Sequence, residues 1–264
     1  MCLIAIAWKY RQDLPLVLIG NRDEFHARPT APAGVDPDAK DVYGGRDLVQ
    51  GGSWLQVSTR RRMAAVTNVR TGGATPSAAR SRGWLVRDFV RADTSAQRFA
   101  ADLAVTAGDY GPFNLLLWDG DALWCASNHP RFAATPVPPG FHAMSNGAFD
   151  APWPKATAAV RTLRRWLDGA DVARNAGAAT GGALAAVLAG LRDARPAPDD
   201  ALPDTGVGLA LERRLSPAFI EDPRYGTRCS SVVAVDASGL DVIERAFDSG
   251  GQPTATTHRR LPTP

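Results

Sequence analysis

The sequence predicts an α+β protein: a pair of mainly antiparallel sheets covered by helices. Three observations predict it. The elements read in the order strands, helices, strands, helices, strands, which fits packed sheets with segregated helices. Neighbouring strands are joined by hairpin turns, as at Asp119-Gly120 and Ser238-Gly239. The first strand is a continuous apolar run, as a buried strand should be. At 264 residues one domain is the default. It is expected over residues 1–250, with 251–264 as a loosely ordered tail rich in Thr, Pro and Arg.

The elements follow in order. Leu3 to Trp8 is the first strand. Leu16 to Gly20 is the second, closed by Asn21-Arg22-Asp23-Glu24, and the two are close enough to form a hairpin. Pro29 to Val42 is rich in Pro, Gly and Asp and is expected as loop. Gly51-Gly52-Ser53-Trp54 leads into Leu55 to Ser58, and Met63 to Thr67 follows an arginine turn at residues 60–62. Ser81 can cap a helix whose Leu85, Val86, Phe89 and Val90 share one face. Thr94 or Ser95 can cap another around Phe99 and Leu103. Strands return at Asn114 to Trp118, Leu123 to Ser127 and Phe141 to Ser145. Val160, Leu163 and Leu167 mark an amphipathic helix, and Ala183 to Leu191 an alanine-rich one. Residues 194–208 read as a mobile surface loop. Ser231 to Asp236 and Val242 to Phe247 are the final strands.

Composition excludes several classes. Apolar residues at 45% and charged residues at 22% are ordinary for a globular chain. A net charge of +3 invites a nucleic-acid reading. The basic residues are interleaved with acids rather than gathered, so none is expected. Cys2, Cys125 and Cys229 are sparse and odd in number, against a disulfide framework or structural zinc. His26, His129, His142 and His258 lack metal-ligand spacing, so no metal is expected. No stretch reaches the roughly 18 apolar residues of a membrane span. The opening residues lack a basic region ahead of an apolar core. A cytoplasmic location is the expectation.

The chemistry points to Cys2. Removal of Met1, which a small second residue favours, would place its thiol and α-amine on one residue. An α-amine of pKa near 8 can take the proton of a thiol near 8.5 at about neutral pH, which activates the nucleophile without a histidine. Asn21-Arg22-Asp23-Glu24 is a dense polar cluster at the end of a buried strand, where its groups need partners. Strand adjacency puts Asp23 or Asn21 beside the Cys2 amine. An acid there orients the amine, and a nearby arginine favours the thiolate. A salt-bridged strand end is the plainer alternative.

These residues belong to a longer ordered set. Met1-Cys2-Leu3-Ile4, the run Asn21 to Phe25 with Arg28-Pro29 behind it, Gly51 to Leu55, Ala65-Val66-Thr67-Asn68, Ser81-Arg82-Gly83, Phe113-Asn114-Leu115, Ser145-Asn146, Pro152-Trp153-Pro154-Lys155 and Tyr225-Gly226-Thr227-Arg228 resemble the NRDE family, that of transport and Golgi organisation protein 2. The resemblance implies a four-layer αββα Ntn-hydrolase-like sandwich, similar to the N-terminal-cysteine amidases. Carried over by motif, it implies Cys2 as nucleophile, Asp23 holding its amine, Asn68 and Asn146 as amide donors near an oxyanion site, and Arg228 near the thiol. That amidase branch places an arginine immediately before the asparagine of its second strand, where this chain has Gly20.

Two functions follow as expectations. One is an amide (C–N) hydrolase acting through a Cys2 thioester on an amide substrate. The other is a non-catalytic carrier that holds a small amphipathic ligand in the same cleft, with Asn21, Arg22, Glu24, Arg28 and Tyr225 at the ligand. The resemblance extends the carrier reading to acyl-CoA or lipid, with Arg22, Arg28 and Arg228 on phosphates, and to haem, with Cys2, a histidine or Tyr225 on iron. A scaffolding role is a third option. No cofactor is otherwise expected. Trp54, Trp84, Phe113 and Phe149 are offered either to core packing or to a pocket wall.

Overall fold

Alternation along the first strand sets the layers. In β1 (Cys2–Trp8), Ile4, Ile6 and Trp8 enter one apolar core while Leu3, Ala5 and Ala7 enter another. A strand buried on both faces must lie between two layers, and its unbroken apolar run follows from that. The computed structural model describes residues 2–72, 78–169 and 181–262.

One sheet has six strands in the order β10-β1-β2-β11-β12-β13. These are β1, β2 (Leu16–Phe25), β10 (Gly140–Met144), β11 (Tyr225–Asp236), β12 (Gly239–Phe247) and β13 (Pro253–Pro262). The other has seven in chain order, β3 (Thr30–Asp36), β4 (Ala39–Asp47), β5 (Leu55–Ser58), β6 (Arg62–Asn68), β7 (Phe113–Trp118), β8 (Leu123–Ser127) and β9 (Ala133–Pro136). All named pairings are antiparallel. Ile4, Leu18, Trp54, Met63 and Trp118 fill the space between the sheets. Helices α3 (Pro154–Asp168) and α4 (Gly181–Gly190) cover the six-stranded sheet through Leu163, Leu167 and Leu188. Helices α1 (Gly83–Arg91) and α2 (Ala96–Asp102) cover the seven-stranded sheet through Leu85, Phe89 and Ala100. The result is the expected helix–sheet–sheet–helix sandwich.

The hairpins β1/β2, β5/β6, β7/β8 and β11/β12 form where the turns place them. Ser95 caps α2 by accepting from the Arg98 amide. Ser81 accepts from the Gly83 amide at 3.3 Å, one residue ahead of the N-cap Arg82.

Three expectations are corrected. The segment Pro29 to Val42 is not loop but carries β3 and the start of β4. These strands are held by polar contacts, which an apolar pattern cannot announce. Asp36 is buried against Arg87 at 3.2 Å and Arg91 at 2.6 Å, and accepts from Gln56 at 3.1 Å. Pro32 is tolerated because β3 is an edge strand. The tail is not loosely ordered over Pro253–Pro262, which is the edge strand β13. It is fastened by its ladder and by charge: His258 meets Asp241 at 2.8 Å, and Arg260 pairs with Asp236 and Asp241. A short helix, α5 (Leu209–Leu215), follows the irregular stretch 194–208. Finally, Asn21-Arg22-Asp23-Glu24 does not close β2 but lies inside it.

Candidate active site at the open end of the β1–β2 pair

Because the motif lies inside a strand, its side chains alternate between faces. Cys2 stands in register opposite Arg22, and Arg22 stands opposite Cys229 on the other side. The row Cys2–Arg22–Cys229 therefore crosses three strands.

Arg22 turns toward the space between the sheets. It is 6% exposed, lies over the Trp54 ring at 4.2 Å, and donates to Thr30 Oγ1 at 3.2 Å. Glu24 is 3.8 Å from both Arg22 and Arg28, and Arg28 makes a two-bond contact with Asp47 at 2.6 and 3.1 Å. Asn21 and Asp23 turn the other way, toward the helix layer. Asn21 donates to the Leu191 and Ala218 carbonyls at 3.0 and 2.7 Å, and accepts from Ser230 Oγ at 2.6 Å. It ties β2 to the segments around α4 and α5.

Asp23 is 1% exposed and accepts from Thr227 Oγ1 at 2.7 Å. Thr227 Oγ1 in turn accepts from the Ile220 amide at 2.9 Å. Burial pushes the Asp23 carboxyl above the usual aspartate range, and the Lys155 ammonium pulls the other way. Lys155 is itself buried on α3 and donates to the Leu215 carbonyl at 2.9 Å. A buried ammonium and a buried carboxyl thus share this end of the sheet.

Arg228 occupies a bulge. Thr227 pairs with Asp23 and Cys229 with Arg22, so Arg228 is the extra residue of β11. Bulges re-aim side chains, and here the guanidinium donates to the carbonyls of Phe25, His26 and Arg28 at 3.0–3.2 Å. It closes the turn after β2. Burial and the neighbouring Arg22 push Arg228 below the usual arginine range.

The two asparagines from the other motifs meet. Asn146, just after β10, donates through its amide to the Asn68 carbonyl at 2.8 Å, and its own carbonyl accepts from the Arg70 amide at 2.7 Å. This stitches the end of β6 to the end of β10, across the two sheets. Arg70 also reaches Asn146 Oδ1 at 3.5 Å and forms a buried ion pair with Glu212 of α5. Glu212 further accepts from the Thr205 amide at 2.9 Å and Oγ1 at 2.5 Å.

Beside this cluster opens a cleft of about 790 Å³, lined by Glu24, Phe25, His26, Asn68, Leu211 and Tyr225 among others. Phe25 and Tyr225 meet edge to face at 5.2 Å, and Phe25 and Leu211 are exposed. Trp54 and Phe113 pack in the cores, Phe149 packs on the inter-sheet core, and the cleft lining does not include Trp84. Sequence reasoning assigned no role to Lys155, although its motif was visible. It had no signal for Arg70 or Glu212, which are lone charges in polar segments.

The Transport and Golgi organisation 2 family model matches residues 1–249. The chain belongs to this family. The Transport and Golgi organization protein 2 homolog of Bos taurus is 30% identical over 257 residues, covering 92% of this chain and 91% of the relative. The Drosophila melanogaster Transport and Golgi organization protein 2 is 32% identical over 242 residues, covering 84% and 82%. Among solved structures, a variant of conjugated bile acid hydrolase from Clostridium perfringens superposes with a TM-score of 0.55 at 7% identity, over 99% of this chain and 92% of that one. At that identity the likeness establishes the fold alone, which is that of the Ntn hydrolases. No helix among the described residues is long and apolar enough to cross a membrane.

The inner face of the same sheet carries one more buried acid. Glu244 is 5% exposed, accepts from the Ala33 amide at 2.7 Å, and is pushed above the usual glutamate range by burial. At low pH it is protonated whether folded or unfolded and costs nothing. As pH rises past the ordinary glutamate value, only the unfolded state releases the proton freely, so stability falls until the folded-state pKa is passed. Glu244→Gln keeps an acceptor for Ala33 and removes the titration. The variant should gain melting temperature relative to wild type as pH rises through the range above the ordinary glutamate value. A constant difference across that range would refute the assignment.

Proposed function

We propose that this protein is an Ntn-type amide hydrolase whose nucleophile is the Cys2 thiol, freed by removal of Met1. The observation that carries the reading is the register of β1 on β2. It sets Cys2 opposite Arg22, with the buried Asp23 next along the strand in a nest of Thr227 and Lys155. In the reaction the Cys2 α-amine takes the thiol proton and sulfur attacks the amide carbon. The C–N bond breaks and the amine leaves with that proton, giving a thioester. Water then attacks the thioester and the thiol is restored. Asn146 keeps a second amide hydrogen beyond the one given to Asn68. One such donor on the developing oxyanion is worth roughly 3 kcal/mol.

The test is intact mass of protein purified from cells, before and after exposure to a panel of amides and acyl thioesters. The expected result is a mass lacking Met1, with an acyl adduct that Cys2→Ala abolishes. Retained Met1, or a free Cys2 that never acylates, sinks the hydrolase reading.

A carrier is the second reading, and specific observations favour it. Gly20 has no space for a side chain, since a Cβ there would stand 2.5 Å from the Leu3 carbonyl oxygen. An arginine before Asn21 is therefore closed to this chain. Arg22 and Arg228 are engaged with Trp54 and with backbone carbonyls. The apolar cleft beside them still suits an amphipathic ligand. Haem fits less well there: the Tyr225 hydroxyl donates to the Asp23 carbonyl at 3.1 Å, and His26 Nε2 lies 3.1 Å from the Asp222 carbonyl. Ligand binding that survives Cys2→Ala, with no turnover in wild type, would select the carrier.

A further inference from the structure

Behind the Asp23 end of β2, α3 and the segment after α4 enclose a second cleft of about 520 Å³ on the outer face of the six-stranded sheet, with the buried Lys155 in its lining. Its walls carry an imbalance of charge. Arg161 and Arg165 line one side, one helical turn apart, and Arg195 lines the other. Like charges at this spacing repel and cost helix stability. The acid of α3, Asp168, accepts from the Tyr10 hydroxyl at 2.7 Å. Among the described residues neither Arg161 nor Arg165 makes an ion pair. Arg195 is held in a planar two-bond contact by Asp193, which fixes its position at the rim. The floor is apolar and buried: Ala159, Leu191 and Ala218.

We infer that this cleft binds a phosphate-bearing small molecule, a phosphomonoester dianion whose uncharged part rests on the apolar floor. Guanidinium groups pair with phosphate oxygens through parallel N–H···O contacts, and two arginines one turn apart, neither in an ion pair among the described residues, present donors to one dianion. The volume is that of a small-ligand site. The cleft is separate from the one beside Phe25 and Tyr225, so the inference does not depend on whether Cys2 is acylated.

The probe is phenyl phosphate, titrated calorimetrically against wild type, R161A/R165A and R164A. Arg164 is on the same helix but lies over the Phe141 ring at 4.4 Å, outside the cleft. It controls for the loss of a helix arginine outside the cleft. Saturable binding is expected in wild type, weakened by roughly tenfold or more in the double variant and nearly unchanged in R164A. Vesicles of phosphatidylcholine with phosphatidate form a second arm. Capture by these vesicles alone, lost in R161A/R165A, assigns the phosphate to a lipid headgroup. Binding of phenyl phosphate assigns it to a free ligand. Failure of both to bind wild type, or an equal loss in R164A, overturns the inference. Circular dichroism of each variant checks that the substitutions leave the chain folded.

Discussion

Arg70→Ala is expected to cost about 3–5 kcal/mol of stability, the range for stripping one partner from a buried ion pair. Arg70 and Glu212 have side chains only 7% and 3% exposed. Without the guanidinium, Glu212 keeps its Thr205 contacts but loses its buried ion-pair partner. The loss extends beyond the charge. Arg70 also holds Asn146, and Glu212 anchors α5, which supplies Leu211 to the cleft. Denaturant unfolding measures the cost. Replacing both partners, as Arg70→Met with Glu212→Leu, should recover most of it, because an apolar pair of similar volume needs no compensation. If the double replacement is as unstable as the single one, packing and not charge holds α5 in place.

The layers were legible because they rest on apolar periodicity. β1, β7 and β8 announce themselves through runs such as Leu115-Leu116-Leu117, and α1 and α3 through residues three and four apart. The hairpins were legible because their turns need particular residues, as at Asp119-Gly120 and Ser238-Gly239. What escaped is held by polar contacts between distant segments. β3 depends on Asp36 meeting Arg87 and Arg91, more than fifty positions on. β13 is nearly all exposed and depends on pairing with β12 and on Asp236 and Asp241. Nothing local in Pro253 to Pro262 encodes those partners.

The site was legible in part for the same reason. Motif order singled out Cys2, Asp23, Asn146 and Arg228, and their neighbourhood follows from strands that pair. Which way each side chain turns does not follow. The bulge at Arg228 adds one residue to β11 and sends its guanidinium to the turn after β2. Alternation within β2 sends Asn21 to the Leu191 and Ala218 carbonyls behind the sheet. A one-residue shift in either strand would exchange these roles.

Asp23 is where structure and chemistry separate most cleanly. Asp23→Asn keeps an oxygen to accept from Thr227 but leaves Lys155, 4% exposed, without the neighbouring negative charge. A stability loss of about 3 kcal/mol is expected, the order of removing one member of a buried charge pair. Adding Lys155→Met in that background removes the ammonium as well and should return much of the loss, a coupling of the kind neighbouring residues show. Acylation of Cys2 should behave differently. A carboxylate that orients the α-amine for proton transfer contributes about 10²–10⁴-fold, and Lys155→Met does not replace it. The double variant is therefore expected to be folded yet slow to acylate, read by intact mass against time. If acylation recovers together with stability, Asp23 serves only to neutralise Lys155, and the amine is oriented by another group.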